Sequence, residues 1–548
     1  MSLKIKQISS LEKVLPNSLL GYNEIYQKTI LKGQSFSYQI VMHETSAVLY
    51  EISLDSPISD SVTLYEVQNE VMDLPTSAPG YDGDFITEIP GIMPDILMPL
   101  SISQNTVKVS YGAYCVWVEI KTDKNIAPGV YPVTVNIKNP ANDTVVSTTM
   151  TIEVIDAVLP KQELLFTQWF HVDCIADVHN VEIYSKKHWE LIEKYMVMAR
   201  KVGINMILTP VITPPLDTAV GTTRPCTQLV KIAKDENGYS FDFTLLDKWF
   251  RLCRKCGFEY YEISHLFSQW GLACAPNIKV KENGEEYYKF GWHVDSKSDE
   301  YKEFLEAFLP ALIKYLKEKK LKDKCYFHVS DEPHVDHIEN YAYAHKLITS
   351  LIDGCKTFDA LSNYEFYEKG LIKTPVTGTS SITPFIEHGV EDQWAYYCCS
   401  QIYKVGNRFL AMPSYRNRIL GLQLYKYNIK GFLQWGYNFY YSQYSKKKIN
   451  PYVTSSAEKT FPSGDSFSVY PIKDDVIPSL RAIIFKEALE DIQVCRRLEK
   501  LIGRDKVIAM IDDAAGMNVT FADYPRNSDY IPNLMEKMIK IIKDRSTK

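Results

Sequence analysis

Two adjacent carboxylates close a short, mostly apolar stretch, Tyr326-Phe327-His328-Val329-Ser330-Asp331-Glu332-Pro333. Carboxyl groups in pairs suit glycoside cleavage, where one protonates a leaving oxygen and the other attacks, activates water or stabilises positive charge. Read as an extended chain, the stretch puts Tyr326, His328, Ser330 and Glu332 on one face and Phe327 and Val329 on the other. The apolar face must meet helices, so Glu332 is expected to point inward, and Pro333 ends the strand. Capping of a following helix would account for Asp331 but not for an inward Glu332.

Adjacency poses a geometric problem. A nucleophile–acid pair in a retaining glycosidase stands about 5–5.5 Å apart, and an acid–base pair in an inverting one about 6.5–9.5 Å, on opposite sides of the sugar. Neighbours on one strand point to opposite faces and cannot straddle a bond in that way. Either a second carboxylate comes from another strand, with Glu365, Glu387 and Glu391 as candidates, or the substrate brings its own nucleophile. A 2-acetamido oxygen can attack the anomeric carbon. Glu332 would then be the general acid/base, and Asp331 would orient the acetamide and stabilise an oxazolinium-like intermediate. Two close acids resist ionising together, which favours a protonated Glu332 for the acid step.

The elements that must hold these acids follow from the hydrophobic period. Residues 1–160 read as short strands separated by turns, among them Ser35–Val41, Ala47–Ile52, Tyr114–Ile120, Tyr131–Ile137 and Val145–Ile152, which is the pattern of an all-β sandwich. From residue 161 the pattern changes to strands alternating with helices. Eight strands are expected, near 164–171, 204–211, 260–267, 324–330, 358–364, 375–380, 394–399 and 431–437, with a strong helix over 479–498. That alternation predicts an α/β chain with a (β/α)8 TIM-like barrel over 161–503, and a helical extension over 504–548 packed on it.

In such a barrel the active site lies at the C-terminal ends of the strands. Reading those ends gives Trp169, His171 and Asp173 on one face after the first strand, and Asn363 and Tyr364 after the fifth. Trp394 and Tyr397 come from the seventh, Arg416 from the segment after it, and Trp435 and Tyr437 from the eighth. All are candidate substrate-binding residues. Tyr396, Trp270 and Trp292-His293 lie nearby; each such aromatic alone is more often core than site, whereas several at one rim fit a sugar.

Composition narrows the classes. The chain has 548 residues, a net charge of −6, 45% hydrophobic and 23% charged residues, the profile of an ordinary globular protein. No basic patch calls for nucleic acid, and no apolar run of about 18 residues calls for a membrane span. Eleven scattered cysteines make no disulfide framework. Cys253 and Cys256 sit in a helical pattern without a second pair at zinc spacing, and Cys398-Cys399 reads as packing in a buried strand. No metal or cofactor is expected. The first residues lack the apolar core of a signal peptide. The expectation is a soluble chain, cytoplasmic or exported after losing such a peptide, acting on a glycan or glycoconjugate.

Taken together, His328-Val329-Ser330-Asp331-Glu332-Pro333, Trp169-Phe170-His171 with Asp173-Cys174, Trp394 with Tyr396-Tyr397, Tyr415-Arg416 with Arg418, Gly431 through Trp435-Gly436-Tyr437, and Arg481 through Glu487 to Glu490-Asp491 resemble glycoside hydrolase family 123, whose catalytic region overlaps the domain once called DUF4091. The resemblance spans roughly residues 160–505. It implies a β-sandwich followed by a (β/α)8 barrel, and N-acetyl-β-galactosaminidase activity by substrate assistance. It further implies that Asp331 stabilises the acetamide, that Glu332 is the acid/base, that Tyr364 contacts the acetamido group, and that Trp435 and Tyr437 line the sugar subsite.

Overall fold

The computed structural model describes residues 3–77 and 82–546. The N-terminal part is all β, in two five-stranded sheets. One runs Lys4–Ser9, Ser35–Glu44, Gly112–Lys121, Val62–Met72 and Gly91–Pro99; the other runs Gln27–Lys32, Thr144–Val158, Gly129–Asn139, Val48–Asp55 and Thr106–Val109. Alternation decides what each strand buries. Tyr38, Ile40 and Met42 pack with Val133, Val135, Ile137 and Ile152 between the sheets. Val41, Tyr65, Cys115 and Trp117 point the other way, into a core shared with the rest of the chain. A sheet covered on both faces explains why its inner strands, Ser35–Glu44 and Gly112–Lys121, are buried in long unbroken runs.

The C-terminal part is a nearly closed barrel of eight parallel strands: Leu165–Gln168, Met206–Thr209, Tyr260–Ile263, Cys325–Phe327, Lys356–Ala360, Thr374–Gly378, Trp394–Tyr396 and Gly431–Gln434. The ladder is continuous except between the first and second strands. There Asn205 acts as a clasp: its Oδ1 accepts from the Phe166 amide at 2.7 Å, and its own amide donates to the Phe166 carbonyl at 3.1 Å. Inside, Met206, Leu208, Tyr326, Phe358, Val376, Trp394 and Leu433 fill the barrel as a packed core. Gly431 is required by that packing, because a Cβ there would stand 2.1 Å from the Trp394 ring.

Several strands are shorter than their patterns predict. The first ends at Gln168 because a helix, Val172–Val178, begins almost at once. Asp173 therefore sits in a first helical turn and not on a strand face. The fifth ends at Ala360 and the seventh at Tyr396, so Asn363, Tyr364 and Tyr397 lie beyond strand pairing. Two hairpins, Lys231–Asp235 with Gly238–Asp242 and Ile278–Glu282 with Glu285–Phe290, are inserted after the second and third strands.

The helix Leu480–Ile502 joins the two parts. Its Arg481 pairs with Asp95 at 2.8 Å and its Lys486 with Glu119 at 2.9 Å, both partners belonging to the first sheet. Arg418 joins the same helix through Glu487 at 2.7 Å and Asp491 at 2.9 Å. Arg416 pairs with Asp82 at 2.7 Å and Asp84 at 2.8 Å. The last helix, Tyr530–Ser546, also reaches the sandwich, with Lys543 on Glu153 at 2.6 Å and Lys28 on Glu536 at 2.9 Å. Among the described residues no helix is long and apolar enough to cross a membrane.

Candidate active site

A cavity opens at the C-terminal end of the barrel, about 620 Å³ with the open solvent at its mouth included. Asp331 and Glu332 both line it, with Trp169, His171, Asp217, Gln269, Trp270, Tyr396, Cys398, Cys399, Trp435, Phe439 and Phe461 around them.

Strand alternation alone would send the two acids apart. The chain solves this after the strand ends. Pairing stops at Phe327, and inward–outward alternation persists through Val329, with Tyr326 and His328 inside the barrel and Phe327 and Val329 in the outer core. Glu332 then adopts φ 44, a left-handed conformation uncommon for a side chain of its kind. Its amide donates to the Ala360 carbonyl at 3.0 Å, and the Asp331 carbonyl accepts from the Trp270 amide at 3.2 Å. The reversal brings both carboxyls into one cavity. Asp217, at φ 42, and Trp270, at φ 52, share the left-handed region. Three such non-glycine residues around one cavity store backbone strain where function commonly keeps it.

Each acid has its own donor. Asp331 Oδ2 accepts from Gln269 Nε2 at 2.6 Å. Glu332 Oε1 accepts from the Tyr396 hydroxyl at 2.8 Å, and the Trp270 indole also bonds this carboxyl. Burial pushes both carboxyls up, and the charge of Glu332 adds to the effect on Asp331, while the donors pull the other way. The pair therefore titrates as a unit and holds a proton to higher pH than two separate acids would. Asp217 is also pushed up, to about 6, by burial; its Oδ2 accepts from the Tyr444 amide at 3.0 Å.

The remaining candidates divide by position. Trp169 and Trp435 are walls of the cavity; their indole nitrogens donate to Glu262 at 2.6 Å and Asp465 at 2.9 Å. His171 lines the cavity and bonds the Trp435 carbonyl at 2.9 Å. Asp173 lies behind it, clamped by Arg224 at 2.7 Å through both oxygens. Trp394 fills the barrel interior and is not a cavity wall. Tyr397 points outward, bonding Asn417 at 3.2 Å and packing on Phe432 and Phe485. Tyr437 stacks on Phe170 and donates to the Tyr195 carbonyl at 2.9 Å. Arg416 is buried against Asp82 and Asp84. Tyr364 starts the short helix after the fifth strand and packs on Phe385 and His388, while Asn363 Oδ1 caps the Glu365 amide at 2.9 Å; neither lines the cavity.

Of the three outlying carboxylates, none lines the cavity: Glu365 pairs with Lys369 at 2.8 Å, and Glu387 and Glu391 are exposed. Cys398 and Cys399 do line it, from a loop and not from a buried strand. Gln269 and Asp217 line the cavity but are not among the residues the sequence singles out. Gln269 stands beside Trp270 just past the third strand, so a stricter reading of that strand end would have found it. Asp217 lies in an irregular segment with no periodic signal. Among the described residues no group of three or more His, Cys, Asp or Glu side chains is arranged to hold a metal ion.

Residues 169–498 match the family model of the glycoside hydrolase 123 catalytic domain. A family 123 glycoside hydrolase from Clostridium perfringens, whose structure addresses glycolipid glycan hydrolysis, superposes with a TM-score of 0.72 at 18% identity, covering 99% of this chain and 98% of that one. A β-glucuronidase from Parabacteroides merdae gives a TM-score of 0.32 at 12% identity, over 88% of this chain and 51% of that one. β-Glucuronidase 3 from Bacteroides uniformis gives 0.32 at 11%, over 89% and 51%. Among curated proteins none matches the sequence.

Proposed function

Because this chain belongs to glycoside hydrolase family 123, we propose that it cleaves a β-linked N-acetylhexosamine, GalNAc in first place, with retention and with the substrate's acetamido oxygen as nucleophile. The observation that carries this reading is the turn at Glu332, after which two sequence-adjacent carboxyls line one cavity. Neighbours on one turn cannot flank an anomeric carbon from opposite faces as a nucleophile and an acid must. They can serve one reacting edge: Glu332 gives a proton to the leaving oxygen and takes one from water, and Asp331 holds the acetamide N–H while its oxygen attacks. Gln269 keeps Asp331 oriented and favours its charged form. Trp169 and Trp435 offer apolar faces to the sugar's C–H bonds. A glycolipid glycan, which the C. perfringens enzyme hydrolyses, is a natural first choice of substrate.

The test is a panel of aryl β-glycosides with wild type, Glu332→Ala and Asp331→Ala. GalNAc release should depend on both acids, with losses of about 10²–10⁴-fold for Glu332→Ala. Efficient cleavage of the plain galactoside, which lacks the acetamido group, would sink the mechanism.

Asp217 supports a second reading. It is a further carboxylate on the cavity wall, and in a two-carboxylate glycosidase acting on another sugar it would be the nucleophile. Azide rescue of Asp217→Ala with a glycosyl azide product distinguishes the two.

A further inference from the structure

Below the acid pair lies a string of charged groups that the proposed chemistry does not consume. Glu262 belongs to the third barrel strand, His328 follows the fourth, and Asp359 belongs to the fifth. All three are 0% exposed. His328 Nε2 lies 2.5 Å from Glu262 Oε1, and its Nδ1 lies 3.1 Å from Asp359 Oδ1. Each ring nitrogen thus faces a carboxylate oxygen. With both acids ionised, both nitrogens must donate, and a ring with two N–H groups is an imidazolium. A neutral ring beside two ionised acids would set a bare nitrogen against a bare oxygen in a fully buried place.

The ends of the string reach the cavity. Glu262 accepts from Thr167 Oγ1 at 2.7 Å and from the Trp169 indole at 2.6 Å. Asp359 Oδ2 accepts from the Tyr341 hydroxyl at 2.6 Å; its Oδ1 accepts from the amides of Val329 at 3.0 Å and Ser330 at 3.3 Å, immediately before Asp331. His265 stacks on the His328 ring with centroids 3.9 Å apart, and among the described residues its ring nitrogens have no hydrogen-bond partner. Phe358 covers the ring at 4.2 Å.

We propose that Glu262, His328 and Asp359 are positioning residues, a buried carboxylate–imidazolium–carboxylate string that fixes Trp169 as a sugar wall at one end and the Asp331-Glu332 turn at the other. The inference rests on reading Asp331 and Glu332 as the acid pair. Burial opposes charge at His328, but the two carboxylates outweigh it and push the ring up to about 9; burial also raises the Asp359 carboxyl, against which His328, Tyr341 and the Val329 amide favour its charged form. The acid pair feels the string directly: His328 favours ionised Asp331 and Asp359 opposes it, alongside Glu332 and Gln269. His265 is held neutral by burial and by the neighbouring imidazolium.

Two measurements test this. In histidine-¹⁵N-labelled protein near neutral pH, one imidazole should carry protons on both nitrogens, shielded from exchange. That signature should be missing in His328→Asn and reduced to a single N–H in Asp359→Asn, which preserves shape if the first variant fails to fold. In kinetics, Glu262→Gln should act at the Trp169 end and raise KM about tenfold with kcat nearly kept. Asp359→Asn should act at the turn and lower kcat about a hundredfold with KM nearly kept. A neutral His328 in the wild-type spectrum, or equal losses in both variants that merely follow the folded fraction, overturns the proposal. The spectrum does not depend on which sugar is cleaved, so its failure is distinct from failure of the hexosaminidase reading.

Discussion

Tyr396 reaches from the end of the seventh barrel strand to donate its hydroxyl to Glu332, carried beyond the fourth, at 2.8 Å. The donor stabilises the charged carboxylate and so opposes the upward push of burial. Its removal in Tyr396→Phe should let Glu332 keep its proton to higher pH. The alkaline limb of the kcat/KM profile then moves up, because the acid form persists longer. The maximal rate should fall by about tenfold or more, as a hydrogen bond to a charged group contributes roughly 1.5–3 kcal/mol. A pH–rate series on an aryl GalNAc glycoside reads both effects; a limb that stays in place would remove Tyr396 from control of Glu332.

Asp331 should be a cost to stability. Burial and the neighbouring Glu332 raise its pKa in the folded chain, whereas an unfolded aspartate titrates near about 3.9. Between those values the folded state holds the extra proton. Stability is therefore greatest below the unfolded pKa and falls as pH rises toward the folded one. Asp331→Asn cannot ionise and should escape the loss. Calorimetry should find its Tm above wild type by about one to three degrees near pH 8, with the gap closing near pH 4, while activity is lost. A lower Tm at both pH values would contradict the sign.

How much of this was legible in the sequence differs by residue. Alternation correctly turned His328 into the barrel and Phe327 out, because a period of two survives as long as the chain is extended. It could not foresee the left-handed Glu332, since no glycine or asparagine marks that turn and the carbonyl of Ala360 holds it from another strand. Trp394 opens the seventh strand, at the end away from the rim, and Tyr397 alternates to the outer face, so neither reaches the cavity where both are expected. Arg416, Arg418, Arg481, Glu487 and Asp491, prominent in the family resemblance, are ion-paired at the seam between sandwich and barrel. Charged residues in a pattern cannot by themselves separate a binding site from a buried seam. The string through Glu262 and Asp359 spans three strands, and only pairing brings its members together.

Arg416 illustrates the seam in energetic form. Its guanidinium is fully buried and binds Asp82 and Asp84. Truncation to alanine leaves two partly buried carboxylates with less compensation, a loss of about 3–5 kcal/mol when no other partner helps. Arg526 also reaches Asp84 at 3.2 Å, which should keep the effect near the lower end. Urea unfolding of Arg416→Ala should show the loss, and KM for the aryl glycoside should hold in the folded fraction. A large KM increase without destabilisation would return Arg416 to the sugar.

Asp217 decides between sugar recognition and nucleophilic attack. Burial pushes its carboxyl up to about 6, and one oxygen is already occupied by the Tyr444 amide. As an acceptor for a sugar hydroxyl it works best when ionised, so wild-type KM should fall as pH rises through about 6. Asp217→Asn keeps the shape, loses the charge, and should raise KM about tenfold while erasing that pH step, with kcat reduced only a few-fold. A nucleophile would behave otherwise: kcat would collapse by orders of magnitude, and the alanine variant would regain turnover with azide. The KM–kcat split in Asp217→Asn, measured across pH with the GalNAc glycoside, thus tests the substrate-assisted mechanism at a residue outside the acid pair.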